Sequence, residues 1–241
     1  MRWHAERVVS DPEYSMHPAD GEPWKNFDEE FPEFASEIRN VTLGLGTDGF
    51  NPFGASGLSH STWPIVLIPY NLPPHICMKN KFNILCILIS GPKSPGKCLN
   101  VFMRPLIDEL KTLWEEGCCT IFDRLVGSPF IIKAVVMWTI SDFQGLGMLG
   151  GLKTKGYKAC PLCLDEIDAT HITGRMSYQG YQRWLPRDHD WRFAAHTLIG
   201  RIESRDPPLT SFLGPHIFNE IMAHDYPTLS LHPQFKPSSM S

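Results

Sequence analysis

Between residues 41 and 50 the chain alternates. Val41, Leu43 and Leu45 fall on one side, and Thr42, Gly44, Gly46 and Asp48 on the other. A period of two predicts a β-strand with one face in a core. Asn51-Pro52-Phe53-Gly54 then reads as a turn. A second apolar run, Trp63 to Tyr70, contains Pro64 and Pro69, which lack a ladder donor and predict a short or edge strand. A third, Phe82 to Ile89, stops at Gly91-Pro92. The period then lengthens: Leu106, Leu110, Leu113 and Trp114 recur at helical spacing and are expected to face a sheet. Pro105 suits the first helical position of this segment and Gly117 its stop. From Phe130 to Ile140 almost every residue is apolar and many are β-branched, which predicts a central strand covered on both faces and running into Ser141-Asp142. The expected order is strand, strand, strand, helix, strand.

The flanks are less regular. Residues 1–40 form a lead-in in which Trp24, Phe27, Phe31 and Phe34 are separated by acids and prolines. One short helix is expected there, from about Pro23 to Phe34, with its aromatics packed on the following domain. Beyond residue 145 the pattern weakens. Glycines crowd residues 145–156, Cys160-Pro161-Leu162-Cys163 follows, and the last ten residues read as a frayed tail. The expected organisation is a lead-in over 1–40, a core over 41–155, an insertion with cysteine, histidine and basic-aromatic character over 156–192, and a divergent tail over 193–241.

With 42% hydrophobic residues in 241, the chain can bury one large domain, or one domain with extensions. No apolar run is long enough to span a membrane, and none at the start reads as a signal peptide. A reducing, intracellular setting is therefore expected, and the seven cysteines read as buried thiols or metal ligands rather than bridges. The net charge of −4 argues against a protein held on nucleic acid by bulk positive charge. Charge is uneven, however. Asp28, Glu29, Glu30, Glu33 and Glu37 crowd the start, while Lys153, Lys155, Lys158, Arg183, Arg187 and Arg192 come later. That allows a local basic face.

Order and acid placement together suggest an α/β fold: a ribonuclease-H-like mixed sheet with flanking helices, plus an insertion carrying the C-x-x-C pair. In that architecture three antiparallel strands lead through a helix to a fourth strand beside the first. Asp48 and Asp142 would then be neighbours at adjacent strand ends. Two such carboxylates suit magnesium, a hard cation that keeps several waters. Paired metals there can activate a hydroxyl and stabilise the leaving oxygen of a phosphodiester. Gly44 and Gly46, on the Asp48 face, would leave room for a substrate backbone. The residues alone leave a plainer reading open: Asp before Gly is a common turn residue, and Asp after a strand a common helix cap.

Longer stretches narrow the choice. Residues 1–7, GLGTDGFNPFG (44–54), WPIVLIPYNLPP (63–74), GPKSPGK (91–97), RPLIDELKTLW (104–114), AVVMWTISDF (134–143) and KGYKACPLC (155–163) resemble, in order, the transposase of plant CACTA elements. The resemblance reaches to about residue 221. It implies a DDE-type DNA transposase, dependent on magnesium or manganese and acting on transposon ends in the nucleus, with other transposase subunits as candidate partners. It maps the first two catalytic acids to Asp48 and Asp142. The family's Asn-Asp-Phe-Pro-Ala stretch is replaced by Ser141-Asp142-Phe143-Gln144-Gly145, a drift that fits a decayed or domesticated copy. The third acid lies downstream in the family, and Met222-Ala223-His224-Asp225 diverges before it. Glu203, Glu220 and Asp225 stand in no matching motif. A truncated copy, inactive alone, is therefore expected; a non-catalytic DNA- or protein-binding remnant is the alternative.

Cys160 and Cys163 have the spacing of half a zinc site. A thioredoxin-type redox context is not evident, and two packed thiols at a turn is the bland reading. The family carries the same pair, a Gly-His-Arg-Arg segment and a His before Trp-Arg. The first of these histidines is lost in Gly180-Tyr181-Gln182-Arg183, and the second persists as His189. Cys160, Cys163 and His189 are thus three candidate zinc ligands, with His171 a candidate fourth. Arg183, Arg187 and Arg192 lie among Tyr178, Tyr181, Trp184 and Trp191, an interleaving that suits phosphate contact and base stacking but equally a solvated loop.

Overall fold

The computed structural model describes residues 1–7, 15–54, 57–118, 120–150, 156, 168–179 and 185–190. The chain divides into two compact units, residues 1–145 and 146–241.

Prolines set the lead-in. After the single turn α1 (Trp3–Glu6), α2 (Glu22–Glu30) carries Pro23 in its first turn and α3 (Pro32–Ser36) begins on Pro32. At these positions a missing N–H costs nothing. The single helix expected over this stretch is therefore two. Pro32 disfavours helical geometry in the residue before it, and Phe31 takes φ −122° and ψ 63°.

The alternating segment forms β1 (Val41–Thr47). It is followed by β2 (Trp63–Pro69), the turn α4 (Pro74–Cys77), β3 (Ile84–Ile89) and the long helix α5 (Leu99–Glu115). Next come β4 (Thr120–Asp123), β5 (Ser128–Ile131), β6 (Ala134–Ile140) and α6 (Phe143–Leu149). The second unit contributes a hairpin, β7 (Asp168–Ile172) and β8 (Arg175–Gln179). One four-stranded sheet has the order β3-β2-β1-β6. β1 pairs antiparallel with β2, β2 antiparallel with β3, and β1 parallel with β6. This is a mixed sheet with flanking helices.

Three expectations are corrected. β2 is interior, not an edge: Pro64 and Pro69 stand near its two ends, and Ile65–Ile68 supply the amides that its two ladders need. α5 starts at Leu99, so Pro105 lies inside it. Pro105 is exposed, where water can serve the carbonyl that its missing N–H leaves. Gly117, at φ +84°, ends the helix as expected and donates to the Thr112 carbonyl at 3.0 Å. The apolar run 130–140 is not one central strand. β5 pairs with β4 in a separate hairpin, and β6 is the last strand of the sheet among the described residues. The break falls at Ile132-Lys133, where the Lys133 amide donates to Asn40 Oδ1 at 2.9 Å and its carbonyl accepts from the Val41 amide at 2.8 Å.

The lead-in aromatics do pack on the sheet. Trp24, Ile68 and Tyr70 form a buried cluster with Ala19, Val66, Met137 and Trp138 against it. Trp138 meets Trp24 at 5.9 Å between ring centroids and Tyr70 edge-on at 5.4 Å. Phe27, Phe31 and Phe34 gather on Trp114 of α5. Polar bonds fasten the same layer. Asn71, fully buried, accepts from the Thr42 amide at 2.7 Å and donates to the Asn40 carbonyl at 2.8 Å. Asp20 accepts from the His17 amide and pairs with Arg7.

Candidate active site

β1 and β6 run parallel, with Gly46 opposite Ile140. Two residues further along each strand stand Asp48 and Asp142, so both acids lie at the same level beyond the ends of neighbouring strands. Neighbouring strands are about 4.8 Å apart. The register carries an irregularity. Leu43 faces Val136 but Gly44 faces Trp138, so Met137 is an extra residue.

Both acids are exposed. Asp48 Oδ1 accepts from the Gly49 amide at 2.7 Å, and Asp142 Oδ1 accepts from the Gly145 amide at 2.6 Å. Asp142 thus caps α6 in the usual way of an Asp before a helix. Each carboxylate is oriented through one oxygen, and among the described residues the second oxygen has no protein partner. A donor set of two oriented, exposed carboxylates fits a hard divalent cation that retains water.

Glycines bring the supporting backbone close, and the sequence gives no sign of it. A Cβ on Gly49 would lie 2.4 Å from the indole of Trp63, a buried β2 residue whose Nε1 donates to Ser61 Oγ at 2.7 Å. A Cβ on Gly145 would lie 2.8 Å from Ser141 Cβ, 3.1 Å from Asp142 Oδ1 and 3.4 Å from the Thr47 carbonyl. Gly145 therefore nests between the two strand ends. Gly44 corrects an expectation. Its missing side chain leaves no room for a substrate, because Tyr70 fills the space and a Cβ would lie 2.6 Å from its ring. A Cβ on Gly46 would meet Ile68 Cδ1 at 3.8 Å and the Ile140 and Val66 carbonyl oxygens at 3.9 Å, ordinary contacts that a methyl group fits without a clash.

The other candidates are not brought together among the described residues. Cys160 and Cys163 lie outside the described residues, as do Arg183, Arg192, Tyr181, Trp184 and Trp191. His189 is half-buried at a turn, where its amide donates to the Pro186 carbonyl at 3.1 Å. His171 is exposed on β7 opposite Met176. Arg187 is exposed, and the Tyr178 hydroxyl donates to the Gly156 carbonyl at 2.8 Å. Among the described residues no three His, Cys, Asp or Glu side chains converge as a metal site, and no helix is long and apolar enough to cross a membrane.

Fold and site together define a mixed α/β protein that presents two carboxylates where adjoining parallel strands end. The sequence model for transposase family tnp2 matches residues 13–223, and the chain belongs to that family. No curated protein matches the chain, and no solved structure does.

Proposed function

We propose that this chain is part of a transposon-encoded DNA transposase of the plant CACTA type, with a ribonuclease-H-like core in which Asp48 and Asp142 hold magnesium or manganese. Its substrate is DNA at transposon ends, and it works in the nucleus. The observation that carries this reading is the parallel register of β1 and β6, with Gly46 opposite Ile140 and an acid two residues beyond each. When bound, the metal would polarise a phosphodiester and lower the pKa of a bound water or hydroxyl. The chain's own residues do the rest: Gly49 and Gly145 orient the carboxylates through their amides, each on one oxygen.

Two acids do not complete a DDE cage, and in this reading the chain alone does not carry out strand transfer. The hydrogen bonds that orient the acids also support a second reading, a non-catalytic DNA- or protein-binding remnant in which Asp48 is a turn residue and Asp142 a helix cap. Titration of the full chain with manganese separates the two. Saturable binding lost in both Asp48→Asn and Asp142→Asn is expected. Binding that ignores both substitutions, or none in the parent chain, leaves the remnant reading. Strand transfer on end-labelled transposon DNA that disappears in Asp48→Ala and Asp142→Ala would mean that a third ligand lies within the 241 residues.

A further inference from the structure

The loops that follow β1 and β3 lie together beside Asp48, and the carboxylate pair makes no use of them. Phe50 and Thr62 exchange backbone hydrogen bonds of 2.9 and 2.8 Å, closing the first loop. Within it Asn51 Nδ2 donates to the Leu58 carbonyl at 2.8 Å, and Asn51 Oδ1 accepts from the Phe53 amide at 3.0 Å. So held, Phe50 and Phe53 are 51% and 50% exposed. His60 meets the Phe53 ring edge-on at 5.2 Å. The second loop is fastened by the Ser61 amide, which donates to the Pro92 carbonyl at 2.9 Å. Gly91, at φ +83°, approaches so closely that a Cβ would lie 2.4 Å from the Ser61 carbonyl oxygen and 2.8 Å from His60 Cε1. Lys93 follows, exposed. At the start of α6 Phe143, next after Asp142, is 44% exposed.

Phe50 and Phe53 are exposed rings on a loop that begins beside Asp48, and hydrogen bonds of its described residues hold both in place. Phe50 and Phe53 follow Asp48 in the chain, Phe143 follows Asp142, and Lys93 stands in the loop tied to Ser61; exposed rings and a lysine suit a single strand, whose bases stack on aromatic faces and whose phosphates meet lysine. We propose that Phe50, Phe53 with His60, and Phe143 form a stacking platform for unpaired nucleotides, with Lys93 on a phosphate. The strand that reaches Asp48 and Asp142 is then unpaired next to the phosphate to be cut. This rests on the reading of the acids as a nucleic-acid site.

The test uses the full chain and a DNA duplex with a short unpaired tail carrying 2-aminopurine, against the same duplex with a blunt end. The parent chain is expected to bind the tailed duplex more tightly and to quench the 2-aminopurine. Phe50→Ala and Phe53→Ala should each weaken tailed-duplex binding by roughly 5- to 150-fold, the range for one base stacked on one ring. Blunt-duplex binding should not change. Phe53→Trp keeps a stacking face and should keep the quenching, which distinguishes stacking from misfolding of the alanine variants. Equal affinity for the two duplexes, or unquenched fluorescence in the parent, overturns the platform; either is the result expected if these rings serve a protein partner. Manganese binding is scored separately. If it depends on Asp48 and Asp142 while tails are ignored, the platform fails and the metal site stands. If tails are stacked but manganese binding ignores the acids, the platform stands and the metal site fails.

Discussion

Gly44 and Gly46 lie two residues apart on one face of β1, yet replacing each with alanine should change stability in opposite directions. At Gly44 a Cβ would sit 2.6 Å from Tyr70 Cε2 and 3.0 Å from its Cζ and hydroxyl. Ordinary carbon contacts are near 3.5 Å or more, so the ring must move. It cannot move freely, because Tyr70 is buried with Trp24 and Ile68 and meets Trp138 edge-on at 5.4 Å. Overpacking of this kind costs about 1–3 kcal/mol. At Gly46 the nearest atoms to a Cβ are Ile68 Cδ1 at 3.8 Å and the Ile140 and Val66 carbonyl oxygens at 3.9 Å, all ordinary contact distances. No clash arises there, and alanine restricts the unfolded chain, a gain of about 0.4–1 kcal/mol. The measurement is the urea midpoint of each variant, with melting temperature moving by about 2–4 °C per kcal/mol for a chain of this size. Tyr70→Leu should cost stability alone but rescue part of the Gly44→Ala loss, so the double variant should fall short of the sum by about 1 kcal/mol or more. Equal shifts at the two glycines, or strict additivity with Tyr70→Leu, would refute the reasoning.

Gly49→Ala should destabilise by about 1–3 kcal/mol, because Trp63 is buried against that backbone, and should weaken manganese binding in the same titration that scores Asp48→Asn. Unchanged metal affinity in a folded Gly49→Ala protein would show that Asp48 needs no such support. Acid should loosen the lead-in. Burial holds the His4 pKa down from 6.5 to about 4, and burial with the nearby Arg7 charge lowers that of His17. A depressed folded pKa means stability that is complete above about 6.5 and is lost as pH falls toward about 4. Partial exposure of His4 discounts the loss to about 1–2 kcal/mol. Asp20, Glu37 and Asp123, held low by Arg7, Arg39 and the Leu125 amide respectively, lose their contributions at still lower pH, while Asp28, raised by burial, opposes the trend. Urea midpoints at pH 7 and pH 5 should differ in the parent chain and differ less in His4→Gln, where His17 alone remains; a parent chain indifferent to pH over that window contradicts the assignment. Protein purified without chelator should carry zinc that is lost in Cys160→Ser and reduced in His189→Ala; metal-free protein with unaltered stability in Cys160→Ser leaves two packed thiols.

What the sequence revealed followed from strict periods. β1 was legible because hydrophobic and small residues alternate over seven positions, although both of its faces are buried. The adjacency of Asp48 and Asp142 followed from element order alone. Prolines misled twice, in opposite ways. Pro64 and Pro69 argued for an edge, but their places near the strand ends leave both ladders intact. Pro105 argued for a helix start, although a proline on the exposed side of a long amphipathic helix loses only one bond. The run 130–140 offered no marker of its break, since the interruption at Lys133 is set by Asn40, a partner far away in sequence. Gly44 and Gly46 looked alike because a glycine's neighbours across a sheet are invisible in one dimension. The cysteine pair carries a local spacing only, and its surroundings lie outside the described residues.

The register that sets the two acids side by side depends on one residue without chemistry of its own. Between β1 and β6 the pairing begins with Val41 opposite Ala134 and Leu43 opposite Val136. Continued unchanged, it would set Ser141, not Asp142, against Asp48. Met137 shifts it by one, so that Gly44 meets Trp138 and Gly46 meets Ile140. The same shift puts Trp138 on the Gly44 side of the sheet, where it packs on Trp24 and Tyr70. A slip of one residue exchanges the faces of every later side chain, so removing the bulge would turn Trp138 away from the lead-in and part the acids together. Trp24 packs on Trp138 at 5.9 Å, a contact that belongs to the bulged register, so the lead-in touches the strand that carries the shift. At the far end of the pair Asn40 fixes the start, with its Oδ1 on the Lys133 amide and the Val41 amide on the Lys133 carbonyl. Asn40 at one end and Trp138 beyond the shift both make contacts in the bulged register, the alignment that sets Asp48 and Asp142 two residues beyond the paired Gly46 and Ile140.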